Sequence, residues 1–85
     1  MMNETQARMI IKINQVDLPN RNVYFLAAKM DKSHSTVYNY LRIMANNGYV
    51  SKVKSGNRSY WTTNEDALEL ALRVIGDVSQ PKDNN

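Results

Sequence analysis

The spacing of the apolar residues changes at Gly48, and this change limits the folds that the chain can adopt. Before Gly48, apolar residues recur at helical spacing in three short runs. After it, "YVSKV" and "RSYWTT" are rich in β-branched and aromatic residues, and the turn signal "SGN" lies between them. A last helical run follows. The sequence therefore predicts a mainly α fold with a small β-hairpin (α+β), in the order helix, helix, helix, hairpin, helix.

Capping residues mark where the first three helices begin. Asn3 and Gln6 resemble a capping box, while Asn22 and Ser33 can cap the second and third helices. Gly48 can adopt a positive φ, so the third helix is predicted to end there.

The last helix is predicted to begin at a Thr63 cap, with Asp66 three residues further on, and to end at Gly76. The residues after it are polar and lack apolar spacing. Residues 1–76 are therefore predicted to form one domain, and residues 77–85 a flexible polar tail.

Length and composition argue against several classes of protein. At 85 residues, the chain is near the size at which a single core is only marginally sufficient, so a large enclosed active-site cavity is not expected. The chain has no cysteine and one histidine, His34, and thus lacks the usual ligands of a zinc site. We therefore expect neither a metal nor another cofactor. No apolar run approaches the roughly 20 residues of a membrane span, which predicts a soluble protein.

Positive charge is concentrated in the middle of the chain. Residues 20–62 contain seven basic residues and one acidic residue, Asp31, which gives this segment a net charge of +6. The basic residues are Arg21, Lys29, Lys32, Arg42, Lys52, Lys54 and Arg58. A patch that concentrates Lys and Arg attracts phosphates, whereas scattered lysines would only keep the surface soluble.

The third helix has two faces of different chemistry. Its inward face is predicted to contain Val37, Tyr40, Leu41 and Met44. Its outward face is predicted to contain Ser35, Thr36, Tyr38, Asn39, Arg42 and Asn46. Asn can pair bidentately with adenine and Arg with guanine, and no Glu or Lys occurs between His34 and Ser51. Such a face is suited to the DNA major groove, although a polar surface helix that lacks acids by chance remains the alternative.

Two short helices followed by a basic hairpin suggest a helix-turn-helix with a wing. The side chains that the wing would offer to a phosphate or to the minor groove are Lys52, Lys54, Asn57 and Arg58. In the second strand, Trp61 is predicted to pack against the core with Val50.

The segment "LAAKMDKSHSTVYNYLRIMANNGYV" resembles the winged helix-turn-helix of MarR and ArsR transcriptional regulators. "GNRSYWTT", with the helix after it, is similar to the wing strand and following helix of those families, so the likeness spans roughly residues 22–75. It implies sequence-selective binding to double-stranded DNA by a twofold dimer. The positions implied to face the major groove are Ser35, Thr36, Tyr38, Asn39 and Arg42. Asp31 occupies the turn position where glycine is common, and it tolerates left-handed φ better than most residues.

The terminal helices carry more apolar residues than one core face requires, which suggests a homodimer interface. The residues predicted to form it are Met9, Ile10, Ile13, Leu70 and Val74. The alternative is that these side chains close a small core within one chain.

Together these patterns predict a DNA-binding transcriptional regulator that is not an enzyme, most simply a small dimeric repressor acting on an inverted repeat in the cytoplasm and nucleoid. The third helix, residues 34–47, would enter the major groove, beginning with Ser33 and His34, and the wing, residues 52–58, would contact the backbone or minor groove. The metal-sensing cysteines and long extra helices of the two families are missing, so a small-molecule effector is not expected. A winged helix used for protein contacts, or a nonspecific DNA-binding module, remains the alternative.

Overall fold

Four helices and one hairpin follow each other in the order that the sequence predicts. The computed structural model describes residues 1–79, and its helices are α1 (Glu4–Asn14), α2 (Val23–Met30), α3 (His34–Asn46) and α4 (Glu65–Ser79). Strands β1 (Val50–Ser55) and β2 (Arg58–Thr63) form one antiparallel hairpin. A 3₁₀ turn, Leu18–Asn20, connects α1 to α2. The predicted fold class is confirmed.

The first three helices begin at the predicted caps. At α1, the Gln6 amide donates to Asn3 Oδ1 over 2.8 Å and the Asn3 amide donates to Gln6 Oε1 over 3.1 Å, which completes the capping box. Asn22 Oδ1 accepts from the Phe25 amide, and Ser33 Oγ accepts from the Thr36 amide. Each cap satisfies an amide that has no partner within its own helix.

Left-handed residues end α2 and α3. Asp31 has φ 55° and ψ 47°, and the Lys32 amide donates to the Ala27 carbonyl over 3.0 Å. Gly48 has φ 79°, and the Tyr49 amide donates to the Met44 carbonyl over 2.8 Å. Both ends are Schellman motifs, which turn the chain sharply while satisfying terminal carbonyls. The tight turn at Asp31 places α3 directly after α2.

Both predicted ends of α4 are wrong. The helix is capped by Asn64, whose Oδ1 accepts from the Ala67 amide over 2.7 Å, because Thr63 is still paired with Val50 in the hairpin. At the other end, Gly76 does not adopt the positive φ that ends a helix, and α4 continues to Ser79. The helix therefore includes the first three residues of the predicted tail, and residues 80–85 lie outside the described residues.

Asn64 also bonds to the segment between α3 and β1. Its side-chain amide donates to the Gly48 carbonyl, and its backbone amide donates to the Tyr49 carbonyl. The residue that caps α4 is thus bonded to the segment between α3 and β1.

One core is shared by all four helices and the hairpin. Its largest fully buried side chains are Ile10, Ile13, Leu26, Val37, Leu41 and Met44. Trp61 and Val50 are buried in the same core, as predicted. The Trp61 amide donates to the Arg21 carbonyl over 2.8 Å, which holds β2 against the segment before α2. Among residues 1–79, no helix has both the length and the apolarity needed to cross a membrane.

The predicted dimer interface is wrong for its three α1 residues. Met9, Ile10 and Ile13 are at most 2% exposed within a single chain, so a second chain cannot reach them. Helix α1 packs against α4, α2 and β2 at once. These contacts bury even a polar residue of α1, Gln6. Leu70 and Val74 of α4 are half-buried, and their role stays a prediction.

Candidate nucleic-acid interface

Helix α3 is fixed to the core by one face. Val37, Leu41 and Met44 have no exposed surface, and Tyr40 beside them is half-buried. Removing this apolar surface from water holds the helix axis in place and leaves the opposite face to solvent.

The polar face of α3 lies at the surface. The side chains that sequence analysis assigns to it are all exposed, namely Ser35, Thr36, Tyr38, Asn39, Arg42 and Asn46. Ser33 and His34 are exposed at the start of the helix. Neither Asn39 nor Arg42 has a side-chain hydrogen bond or ion pair within residues 1–79, so both can bind another molecule without breaking an internal contact.

Ile43 also belongs to the exposed face of α3, where sequence analysis does not place it. Its exposure is 51%, and it lies one turn after Asn39. An exposed aliphatic side chain beside an amide can contact the methyl group of a thymine. The four-residue spacing from Asn39 places Ile43 on the same side of the helix and was the signal in the sequence. It was missed because an apolar residue in a helix is usually assigned to the core.

A second residue missed from the sequence is Tyr24 of α2. Its ring stands edge-on to His34, with centroids 4.4 Å apart and planes at 81°. Tyr24 is 65% exposed because the buried side of α2 is formed by Leu26 and Ala27. The aromatic pair extends the polar surface from α3 onto the start of α2, and the Tyr24 hydroxyl has no hydrogen-bond partner within residues 1–79.

The hairpin distributes the predicted wing residues over two faces. Lys52 is opposite Trp61 and Lys54 is opposite Ser59, so both lysines share the Trp61 face of the hairpin. Arg58 is opposite Ser55 and belongs to the other face. Lys52 Nζ lies 5.9 Å from the centre of the Trp61 ring, a cation–π contact. The hairpin therefore presents cations on both faces instead of one cluster.

Basic residues of α1 and α2 extend the positive surface. A groove of about 320 Å³ between these helices is lined by Thr5, Arg8, Met9, Lys12, Lys29, Met30 and Lys32. Arg8 is paired with Glu4 over 2.6 Å, and the other three cations have no ion pair among residues 1–79. Lys32 directly precedes the Ser33 cap of α3. The fold thus adds Lys12 to a surface that the sequence assigned to residues 20–62.

Within residues 1–79, no group of three or more His, Cys, Asp and Glu side chains is arranged to hold a metal ion.

No protein-family model matches this chain, and no curated protein sequence does. Several solved structures, however, match its fold. A MarR family protein from Bacillus stearothermophilus superposes with a TM-score of 0.77 at 20% identity, over 89% of this chain and 53% of that one. A mutant of ZitR from Lactococcus lactis gives a TM-score of 0.66 at 18% identity, over 85% of this chain and 49% of ZitR.

The fold is a winged helix-turn-helix. A protein from Archaeoglobus fulgidus, with a TM-score of 0.68 at 14% identity, is matched over 93% of this chain and 87% of its own length. The chain spans about half the length of the Bacillus and Lactococcus proteins. In this winged helix, α2 and α3 are the helix-turn-helix, and β1 with β2 is the wing.

Proposed function

We propose that this winged helix is a transcriptional regulator that binds double-stranded DNA sequence-specifically, as a small dimeric repressor. Helix α3 and its cap, residues 33–47, enter the major groove, and the wing, residues 52–58, contacts the backbone or the minor groove. The observation that carries the proposal is the exposed face of α3, which is free of carboxylates and presents Asn39 and Arg42 without side-chain partners among residues 1–79.

The side chains of α3 divide into two kinds of contact. Asn39 and Arg42, near the middle of the exposed face, read base edges, because amide and guanidinium groups form bidentate pairs with adenine and guanine. Tyr38 and Ile43 flank them and offer apolar surface to thymine methyl groups. Ser33, His34, Ser35 and Thr36, at the start of the helix, bond to phosphates or to nearby bases. The start of the helix also favours anions through its dipole.

The basic side chains around α3 neutralise phosphates. Lys32 lies in the turn before the helix, and Lys52, Lys54 and Arg58 belong to the wing, whose turn adds the neutral amide of Asn57 as a hydrogen-bond donor. Because Arg58 lies on the other face from the lysines, the wing is suited to straddle one strand of the backbone, with cations on both sides of it. These contacts supply affinity for any sequence and make binding weaken with salt.

The preferred site is an inverted repeat bound by two copies of the chain, whose half-sites lie about 34–36 Å apart, one turn of DNA. Such a repressor works in the cytoplasm, on the nucleoid, and needs neither a metal nor a small-molecule effector. Two MarR-type proteins among the matched structures support this proposal at the level of the fold.

Selection of duplexes from a random DNA pool tests the proposal, with the purified protein at low and at physiological salt. We expect enrichment of one inverted repeat that persists at physiological salt. The control is Asn39→Ala with Arg42→Ala, which leaves the buried face of α3 intact and removes the enrichment. Retention of DNA at low salt with no enriched sequence would instead indicate a nonspecific DNA-binding module. Absence of DNA binding at both salt concentrations would favour a winged helix used for protein contacts.

A further inference from the structure

An aromatic pair connects the start of α2 to the start of α3. The rings of Tyr24 and His34 stand edge-on to each other, with centroids 4.4 Å apart. Both side chains remain at the surface, and neither makes a hydrogen bond within residues 1–79. The pair therefore holds two donor groups, a phenolic O–H and an imidazole N–H, side by side at the surface.

Packing within the chain does not account for Tyr24. The core contacts of α2 are made by Leu26 and Ala27, which are at most 1% exposed. Ala28 follows Tyr24 by one turn and is small and exposed, so its side chain does not cover the ring. A ring that is 65% exposed gains little free energy from burial. Tyr24 is thus available for a contact outside the chain.

The charges near the pair favour an anion as its ligand. Lys32 is exposed and precedes His34 by two residues. The exposed face of α3, which begins at His34, contains Arg42 and no carboxylate. Asp31 is the one acidic residue between positions 20 and 62, and Lys29 and Lys32 lie on either side of it in the sequence. The surroundings of the two donors are therefore basic.

We propose that Tyr24 and His34 together bind one DNA phosphate at the border of the major groove that α3 enters. The Tyr24 hydroxyl donates one hydrogen bond to the phosphate, and the imidazole of His34 donates another. In a helix-turn-helix, the first helix crosses the DNA backbone while the second lies in the groove. A side chain of α2 that touches the start of α3 lies where these two surfaces meet. The inference rests on the proposed function and adds a contact from outside α3 and the wing.

The ring of Tyr24 has a second role in this contact, which is to position His34. An exposed imidazole in the first turn of a helix loses rotational freedom when it binds a phosphate, and this loss weakens binding. The edge-on contact with Tyr24 restricts the rotation before DNA arrives. Tyr24 is therefore a phosphate ligand through its hydroxyl and a positioning residue through its ring.

Two substitutions of Tyr24 separate these roles. Tyr24→Phe keeps the ring and removes the hydroxyl, so affinity for every duplex should fall about fivefold, close to the usual net contribution of one hydrogen bond. Tyr24→Ala removes both, and affinity should fall about twentyfold. Sequence preference should not change, because phosphate contacts carry no sequence information. Leu72→Ala is the control, since Leu72 is 55% exposed on α4, and its affinity for DNA should equal that of the unmodified chain.

A substitution of His34 in each background tests the positioning role. His34→Ala should lower affinity about fivefold in the unmodified chain and again in Tyr24→Phe, which keeps the ring. In Tyr24→Ala it should have little further effect, because the imidazole is no longer held in place. Equal effects in all three backgrounds would overturn the positioning role. Thermal unfolding of each variant verifies that it folds.

Neutral phosphate analogues test whether the ligand is a phosphate. Single phosphates of a bound duplex are replaced in turn by methylphosphonate, which removes the negative charge. We expect a position at which this replacement weakens binding of the unmodified chain but has a smaller effect on Tyr24→Phe. The phosphate contact is overturned if no position behaves in this way, or if Tyr24→Phe relaxes the sequence preference.

Failure of this contact can be told apart from failure of the proposed function. If both Tyr24 variants bind DNA like the unmodified chain while one inverted repeat is still enriched, the contact fails and the proposed function stands. If no sequence is enriched but both variants bind an arbitrary duplex more weakly by the expected factors, the contact stands and sequence-specific regulation fails. A chain that binds no DNA at either salt concentration contradicts both.

Discussion

Single residues determine how α2 passes into α3. Asp31 holds a left-handed conformation at the position where glycine has no steric cost, and the turn depends on it. The sequence predicted this feature, because the resemblance to winged-helix regulators places Asp31 at the turn position where glycine is common, and Asp tolerates left-handed φ better than most residues. The exposure of Ile43 was harder to predict, since its place at the surface depends on where α3 meets the core.

Substitutions at Asp31 test the left-handed turn. Asp31→Gly should raise the free energy of unfolding by about 0.5–1 kcal/mol, because the side chain no longer clashes with the backbone. Asp31→Val should lower it by about 1–2 kcal/mol, since a β-branched residue is poorly tolerated at φ 55°. Urea unfolding of the three proteins measures both changes. Equal stability of the two variants would argue against a left-handed residue 31 in solution.

The proposed DNA contacts should separate into two groups by their response to substitution. Asn39→Ala and Arg42→Ala should each cost about 1–3 kcal/mol for the preferred site and relax its sequence preference. Lys54→Ala and Arg58→Ala should weaken binding to every sequence and reduce the dependence of affinity on salt. Titration of preferred and scrambled duplexes at several salt concentrations distinguishes the groups. Identical behaviour of all four variants would contradict the division between reading helix and wing.

At the scale of elements, the sequence predicted the number, order and type of helices and strands, because capping residues and apolar spacing are local signals. The ends of α4 were missed since they depend on the rest of the fold. Thr63 is paired with Val50 in the hairpin, so Asn64 is the residue that caps α4. Gly76 permits a helix stop without requiring one. The two faces of the wing follow from pairing across the two-residue turn at Gly56 and Asn57, and composition alone cannot show them.

The cap of α4 predicts a stability change at Asn64. Asn64→Ala should lower the free energy of unfolding by about 1–2 kcal/mol, because it removes the cap and leaves the Gly48 carbonyl without its side-chain donor. Asn64→Asp keeps the oxygen that caps α4 but loses the donor to the Gly48 carbonyl, so the free energy of unfolding should fall by less. Chemical unfolding measures both. If Asn64→Ala left the free energy of unfolding unchanged, the assignment of the cap would be incorrect.

At the scale of the whole molecule, the sequence could predict surplus apolar residues but could not say which of them the core would use. Met9, Ile10 and Ile13 are taken up by packing of α1 against several elements at once. Leu72 is left exposed. The candidate DNA surface was largely predictable from residue types in α3, whereas the contributions of Tyr24 and Lys12 depend on how α1 and α2 pack in the fold.

A dimer that reads an inverted repeat predicts strict spacing of the half-sites. Inserting about five base pairs between them turns one half-site to the opposite side of the DNA, and affinity should fall at least tenfold. Inserting about ten base pairs returns both half-sites to the same side of the DNA but places them too far apart for a rigid dimer, so affinity should recover little. Electrophoretic mobility shifts with the three duplexes provide the measurement. Unchanged affinity for all of them would indicate two chains that bind independently.

The contact between Lys52 and Trp61 gives the protein a built-in optical reporter. Trp61 is the only tryptophan in the chain and is 5% exposed, so its fluorescence emission is that of an apolar site and moves to longer wavelength when the core opens. The ammonium group of Lys52 lies over the same ring. A phosphate that draws Lys52 away would change the quenching of this single tryptophan, so binding of the wing to DNA and global unfolding would give separate spectral signals without any label.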